Sequence, residues 1–270
     1  MNEPTENLRV SIVQGDTRWH DPAANRDYYG TLVRQLAGQT DLIVLPETFT
    51  SGFTNETLGN AESMQGATLP WLQALAAEVD AVITGSVVIR AGERCVNRLI
   101  WMRPDGSYEI YDKRHLFRMA KEHERYSGGD KRLIVELKGW RVCPMVCYDL
   151  RFPVWIRNRF NHSVADRFDY DLLIFVANWP SARRGPWRTL LRARAIENLC
   201  YVAGVNRVGT DGNDLHYAGD SAIIDQVGET VVELGAQVQV VTSTLAGTAL
   251  LAHRERFPAW MDADQFDLKV

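Results

Sequence analysis

Three apolar runs in this chain each stop at a residue able to do chemistry. Residues 41–45 run into Pro46-Glu47-Thr48-Phe49. A carboxylate just past a buried strand stands where α/β proteins gather ligands, at the carboxyl ends of their strands. Residues 108–111 run into Asp112-Lys113-Arg114-His115, and residues 142–146 into Cys147-Tyr148-Asp149-Leu150-Arg151-Phe152. At the last of these an apolar strand turns sharply into polar chain, and a thiol there is presented like the nucleophile of a strand-to-helix elbow. A helix beginning near Pro153 would turn its N-terminal N–H groups toward the sulfur and favour thiolate. Each segment also has a plainer reading. Loop acids are mostly solvated, a charge cluster after a strand is usually a solvated loop, and most free cysteines are small buried hydrophobes. Cys95, Cys143 and Cys200 suit that last description; Cys147, followed by charged residues, suits it less well.

Taken in order and spacing, the segments 46–49, 113–117 and 147–153 resemble the three signatures of the nitrilase, or carbon–nitrogen hydrolase, superfamily. The resemblance extends over nearly the whole chain. It implies a cysteine amidohydrolase with Cys147 as nucleophile, Glu47 as general base and Lys113 as a cation for the oxyanion. The family also carries a second glutamate between lysine and cysteine. Glu122 and Glu124 compete for that place; the family's register, seven residues before Gly129, points to Glu122, although Gly128 stands where the family often has proline. Segments 113–126, 176–180, 193–198, 219–221 and 256–260 further resemble the bacterial ω-amidase branch, whose members hydrolyse the terminal amide of 2-oxo acids. Arg194 and Glu197 in that set are also an ordinary i,i+3 helix pair.

The chemistry implied is attack of the thiolate on an amide carbon to form a thioester. Glu47 would take the thiol proton, pass it to the departing ammonia, and then activate water. Lys113 and the backbone N–H of Tyr148 would hold the oxyanion. Glu122 would orient Lys113 or the substrate amide. A 2-oxo acid also brings a carboxylate, which calls for an arginine away from Cys147, since a planar fork binds carboxylate bidentately. Arg151 is the first candidate, with a salt bridge to a neighbouring acid as its plainer role; Arg118 and Arg207 stand in reserve, and Asn178 and Trp179 join the expected substrate contacts. No cofactor is implied, and no metal-ligand spacing such as HxxxH occurs. Two other readings are a nitrilase or amidase for another small substrate, and a catalytically silent binding protein on the same fold.

The elements that must position these residues alternate. Strands are expected at 8–13, 41–45, 81–89, 140–146, 172–177 and 201–205, and helices at 25–36, 69–79 and 187–198. Pro104-Asp105-Gly106 and Gln226-Val227-Gly228 mark hairpin turns between 98–102 and 108–111 and between 221–224 and 230–233. This order gives an α/β chain with mixed sheets covered by helices. The resemblance makes it an α-β-β-α sandwich, a single domain over 1–270. Two such sandwiches would pair into a homodimer, with the tail 252–270, near Trp260, at the interface.

At 270 residues and 46% hydrophobic, the chain can bury a sizeable core. A net charge of −4 lacks the basic footprint of a nucleic-acid binder. No apolar run is long enough to span a bilayer, and residues 1–8 do not read as a secretory signal. Four cysteines without a CxxC pair fit reduced thiols in a cytoplasmic protein.

Overall fold

The computed structural model describes residues 4–161 and 167–269; the first three residues of the N-terminal segment and the last of the tail lie outside it. Two six-stranded mixed sheets lie face to face. The first holds β1 (Leu8–Gln14), β2 (Leu42–Val44), β3 (Val82–Ala91), β4 (Arg94–Met102) and β5 (Tyr108–Asp112). The second begins with β6 (Val135–Leu137) and β7 (Trp140–Val146). After a short ribbon, β8 (Phe160–Asn161) and β9 (Arg167–Phe168), it resumes with β10 (Leu172–Ala177) and β11 (Tyr201–Asn206). Another ribbon, β12 (Val208–Thr210) and β13 (His216–Ala218), precedes β14 (Ala222–Ile224) and β15 (Thr230–Glu233) of the second sheet. Then β16 (Gln239–Leu245) returns to pair antiparallel with β1.

The layering follows from the period-2 alternation of side chains along a strand. In β2, Leu42 and Val44 enter the core between the sheets. Ile43 and the following Leu45 face the opposite way, into a second core under α1 (Pro22–Arg34) and α3 (Thr68–Val79). On the far side, α5 (Arg184–Asn198) lays Trp187, Leu191 and Ala195 on the second sheet. Strand β10 is covered on both faces, which is why it reads as six unbroken apolar residues. The result is the expected α-β-β-α sandwich. Within it β1-β2-β3 and β7-β10-β11 are parallel, so β2 and the pair β7 and β10 present their carboxyl ends to loops that carry the chemistry.

Several expected elements differ in extent. Helix α1 starts at Pro22 rather than residue 25, because Asp21 accepts from the Ala24 N–H at 3.0 Å and proline fits the first helical position. The first hairpin forms as expected, with Met102 opposite Tyr108 and Gly106 at φ 82°, a conformation that glycine adopts freely. Strand β16 and helix α6 (Gly247–Arg256) were not anticipated: β16 is a partly exposed edge strand and has no continuous apolar signal. The other two short helices, α2 (Thr57–Asn60) and α4 (Glu122–Arg125), are single turns. No helix among the described residues is long and apolar enough to cross a membrane.

Candidate active site

The loop after β2 is stitched to β3. Phe49 N–H donates to the Ser86 carbonyl at 3.1 Å, and Thr48 N–H to Ser86 Oγ at 2.8 Å. This fixes Glu47, which is fully buried. Its Oε1 accepts from Asn97 Nδ2 at 2.8 Å and Lys113 Nζ at 3.0 Å, and its Oε2 from the Asn178 N–H at 2.7 Å. Lys113 directly follows β5. Its N–H donates to the Asn97 carbonyl at 2.9 Å, and its own carbonyl accepts from Gly129 at 3.0 Å. A Cβ on Gly129 would stand 2.3 Å from the Asp112 carbonyl oxygen, so this close approach requires glycine.

Lys113 Nζ also lies 3.0 Å from both oxygens of Glu122, in the single turn α4. Glu122 Oε2 accepts from the Phe117 N–H at 2.6 Å, which locks the carboxylate. Glu124 is exposed, so of the two competing acids only Glu122 reaches the lysine.

Cys147 directly follows β7, at φ 45°, a strained value for a residue with a side chain. Its Sγ faces, at 4.0 Å, the carbonyl of Asn178, the residue whose N–H is held by Glu47. No α-helix begins near Pro153. The chain leaves β7 in a 3₁₀ turn, Cys147–Arg151, so the thiolate-favouring helix end expected there is absent. Burial is the leading influence on the thiol, and the negative charge of Glu47 adds to it; Lys113 opposes both but does not outweigh them. The thiol is therefore held well above its ordinary range and rests neutral. Burial alone would lower Lys113, but Glu122 and Glu47 together overcome it and keep the ammonium charged. Burial, with the charge of Glu47, raises Glu122 against the pull of Lys113.

Glu47, Lys113 and Cys147 line a cavity of about 490 Å³, counted to its open mouth, while Glu122 reaches it only through Lys113. Tyr148, Arg151, Asn178 and Trp179 share its wall, while Arg118 and Arg207 do not. Arg118 is exposed on a 3₁₀ turn at 118–120. Arg207 is buried behind Tyr217, 4.8 Å from its ring centre, and pairs with Asp16 at 3.0 Å. Arg194 does form the expected i,i+3 pair with Glu197, at 2.9 Å, but also donates twice to the Leu150 carbonyl. Two site residues escaped the sequence reading. Asn97 interrupts the apolar face of β4, and a buried amide inside such a strand was a usable signal. Arg183 lines the cavity, but nothing in Ser181-Ala182-Arg183-Arg184 separates it from Arg184, which pairs with Asp220 at 2.7 Å.

The carbon–nitrogen hydrolase family model matches residues 9–249. An omega-amidase of Escherichia coli, YafV, is 48% identical over 97% of this chain and 98% of its own length. A 2-oxoglutaramate amidase of Bacillus subtilis is 30% identical over 94% of this chain and 96% of its own. Among solved structures, XC1258 of Xanthomonas campestris is described as a CN-hydrolase superfamily protein with an arsenic adduct in its active site. It is 61% identical, with a TM-score of 0.96 over 98% of this chain and 100% of its own. The yeast protein Nit3 shares the fold at 23% identity and a TM-score of 0.80, over 94% of this chain and 95% of its own.

Proposed function

The chain belongs to the carbon–nitrogen hydrolase family, and on that premise we propose that it is an ω-amidase, hydrolysing the terminal amide of small 2-oxo-dicarboxylic acid monoamides to the acid and ammonia. One juxtaposition carries this reading. The Cys147 thiol shares one cavity with Glu47, the Lys113 ammonium and Arg151, and Arg151 has no carboxylate partner among the described residues. The cavity thus offers an acyl-transfer nucleophile on its floor and a carboxylate receptor on its wall. Full-length kinship to the Escherichia coli and Bacillus subtilis amidases points the same way.

In this reading the neutral thiol gives its proton to Glu47 as sulfur attacks the amide carbon. Lys113 and the Tyr148 N–H receive the developing oxyanion. Glu47 returns the proton to nitrogen, ammonia departs, and a thioester remains. Glu47 then takes a proton from water, which attacks the thioester and restores the thiol. Glu122 holds Lys113 in place and balances its charge. Two copies pair through the C-terminal tail, and the four free cysteines suit a reducing cytoplasm.

The test is ammonia release from 2-oxoglutaramate, a neutral aliphatic amide and a nitrile. The 2-oxo amide should be the preferred substrate. Cys147→Ala should abolish turnover, and Glu47→Gln should lower kcat by about a hundredfold or more, the usual loss for a general base. Turnover of the nitrile alone would make the chain a nitrilase; no thiol-dependent turnover of any would make it a binding protein.

A further inference from the structure

We infer that Arg183 is a specificity-determining residue: with Arg151 it forms a two-armed receptor for the carboxylate and adjacent oxo group at the end of the substrate remote from Cys147. The inference rests on the ω-amidase reading and deepens it.

Lys113 is neutralised by Glu47 and Glu122 at 3.0 Å each. Arg151 and Arg183, both half-buried on the wall, have no carboxylate partner among the described residues. Neighbouring arginines are satisfied: Arg184 by Asp220, Arg188 and Arg192 by Glu233, Arg194 by Glu197. Two unpaired guanidinium groups in one small cavity repel each other, and an anion between them relieves the repulsion.

Each guanidinium is held by an aromatic ring. Arg151 Cζ lies 5.0 Å from the Trp179 ring centre, and Arg183 Cζ lies 5.1 Å from that of Phe117. Contact with a ring face orients a guanidinium while its N–H donors, which lie in its own plane, stay available. The two arms are also linked. Trp179, which supports Arg151, donates its indole N–H to the Arg183 carbonyl at 2.8 Å, so one residue fixes the place of both.

A 2-oxo acid presents a carboxylate and an adjacent carbonyl oxygen, acceptors throughout, which suits two forks of donors. A 2-amino acid of the same length presents an ammonium at that position. Two uncompensated guanidinium groups would repel it. The pair therefore selects the oxo acid amide over the corresponding amino acid amide, and either over an amide with no carboxylate.

The experiment compares wild type, Arg183→Met and Arg183→Lys on 2-oxoglutaramate, glutamine and butyramide, with iodoacetamide labelling of Cys147 as a check that the pocket is intact. Losing a charge-assisted hydrogen bond should raise KM for 2-oxoglutaramate in R183M by about tenfold to a hundredfold. Labelling of Cys147 should stay within about threefold, and turnover of butyramide, which has no carboxylate, should fall less than that of 2-oxoglutaramate. Discrimination against glutamine should shrink, and R183K should recover part of the loss. Unchanged KM for 2-oxoglutaramate in R183M, or equal losses in labelling and on all substrates, would remove Arg183 from this role. Wild-type enzyme that hydrolyses butyramide as well as 2-oxoglutaramate would instead overturn the ω-amidase reading itself.

Discussion

At the scale of single residues, Cys147 is set apart by its surroundings rather than by an activated resting state. Cys143, four residues upstream in β7, is pushed up to about 12 by burial, and Cys200 is also raised by burial; neither lines the substrate cavity. Cys147 is raised too, but it faces that cavity together with Glu47. A raised thiol is neutral below its folded value and ionises only above it, so the thiolate fraction should climb through and beyond pH 9 with no plateau near neutrality. The rate of iodoacetamide labelling of the native protein against pH measures this. A plateau below pH 7 would reveal a preformed thiolate and contradict the proton transfer to Glu47. Brief substoichiometric labelling followed by mass spectrometry should find Cys147 modified ahead of Cys95, Cys143 and Cys200. Labelling spread evenly over the four would remove Cys147 as nucleophile.

At the scale of elements, the site depends on how the turn after β7 is tied to the loop after β5. Asp149 is the tie. One of its oxygens accepts from Tyr111 at 2.8 Å and the Val146 N–H at 3.1 Å; the other accepts from the His115 N–H at 3.0 Å and lies 2.8 Å from His115 Nδ1. The buried carboxylate thus binds residues on either side of Lys113 to the strand end that presents Cys147. Asp149→Asn should destabilise the fold by about 1.5–3 kcal/mol, the usual worth of hydrogen bonds to a charged group. It should also lower kcat more than it raises KM, because the bonds lost fasten Val146, Tyr111 and His115 beside the nucleophile and the lysine, while Arg194 on the Leu150 carbonyl and the Trp179 ring still hold the Arg151 end of the turn. Equal effects on both constants would make Asp149 merely structural. Glu47 and Cys147 were legible as the ends of apolar runs, because buried strands announce themselves by composition; Lys113 follows a strand whose Tyr108 and Ile110 are exposed, and the turn signal at Pro104-Asp105-Gly106 marked that strand. The fastening between the three was not legible, since Asp149 and Arg194 act through contacts 34 to 44 residues apart. Arg183 was illegible for a related reason: only its lack of a partner distinguishes it, and partners are a property of the fold.

At the scale of the whole molecule, mixed sheets covered by helices were readable from alternating strands and helices, and the sandwich followed from the family resemblance, but the closure of its first sheet by β16 was in neither. An antiparallel partner for β1 drawn from residues 239–245 is a long-range pairing with no local signal. The tail beyond α6 poses the matching question of what it packs against. Phe257 and Met261 are 57% and 66% exposed, and Ile196, which shares a cleft with Phe257, is 52% exposed. Next to them Trp260 stacks on Phe160 at 4.0 Å, so the tail is docked while its other apolar side chains face solvent. Exposed apolar side chains gathered beside a docked tail mark a protein–protein contact, and in a twofold pair the same patch serves both copies. We therefore expect a dimer at micromolar concentration by light scattering. Phe257→Asp combined with Ile196→Asp should convert it to a monomer, because each charge would be buried without a partner in the interface. The substituted side chains lie on the surface of the single chain, so its own melting temperature should fall only by what lost pairing removes, and that fall should vanish on dilution. A wild-type monomer at micromolar concentration would refute the pairing. A double variant that remains dimeric would place the interface on another face.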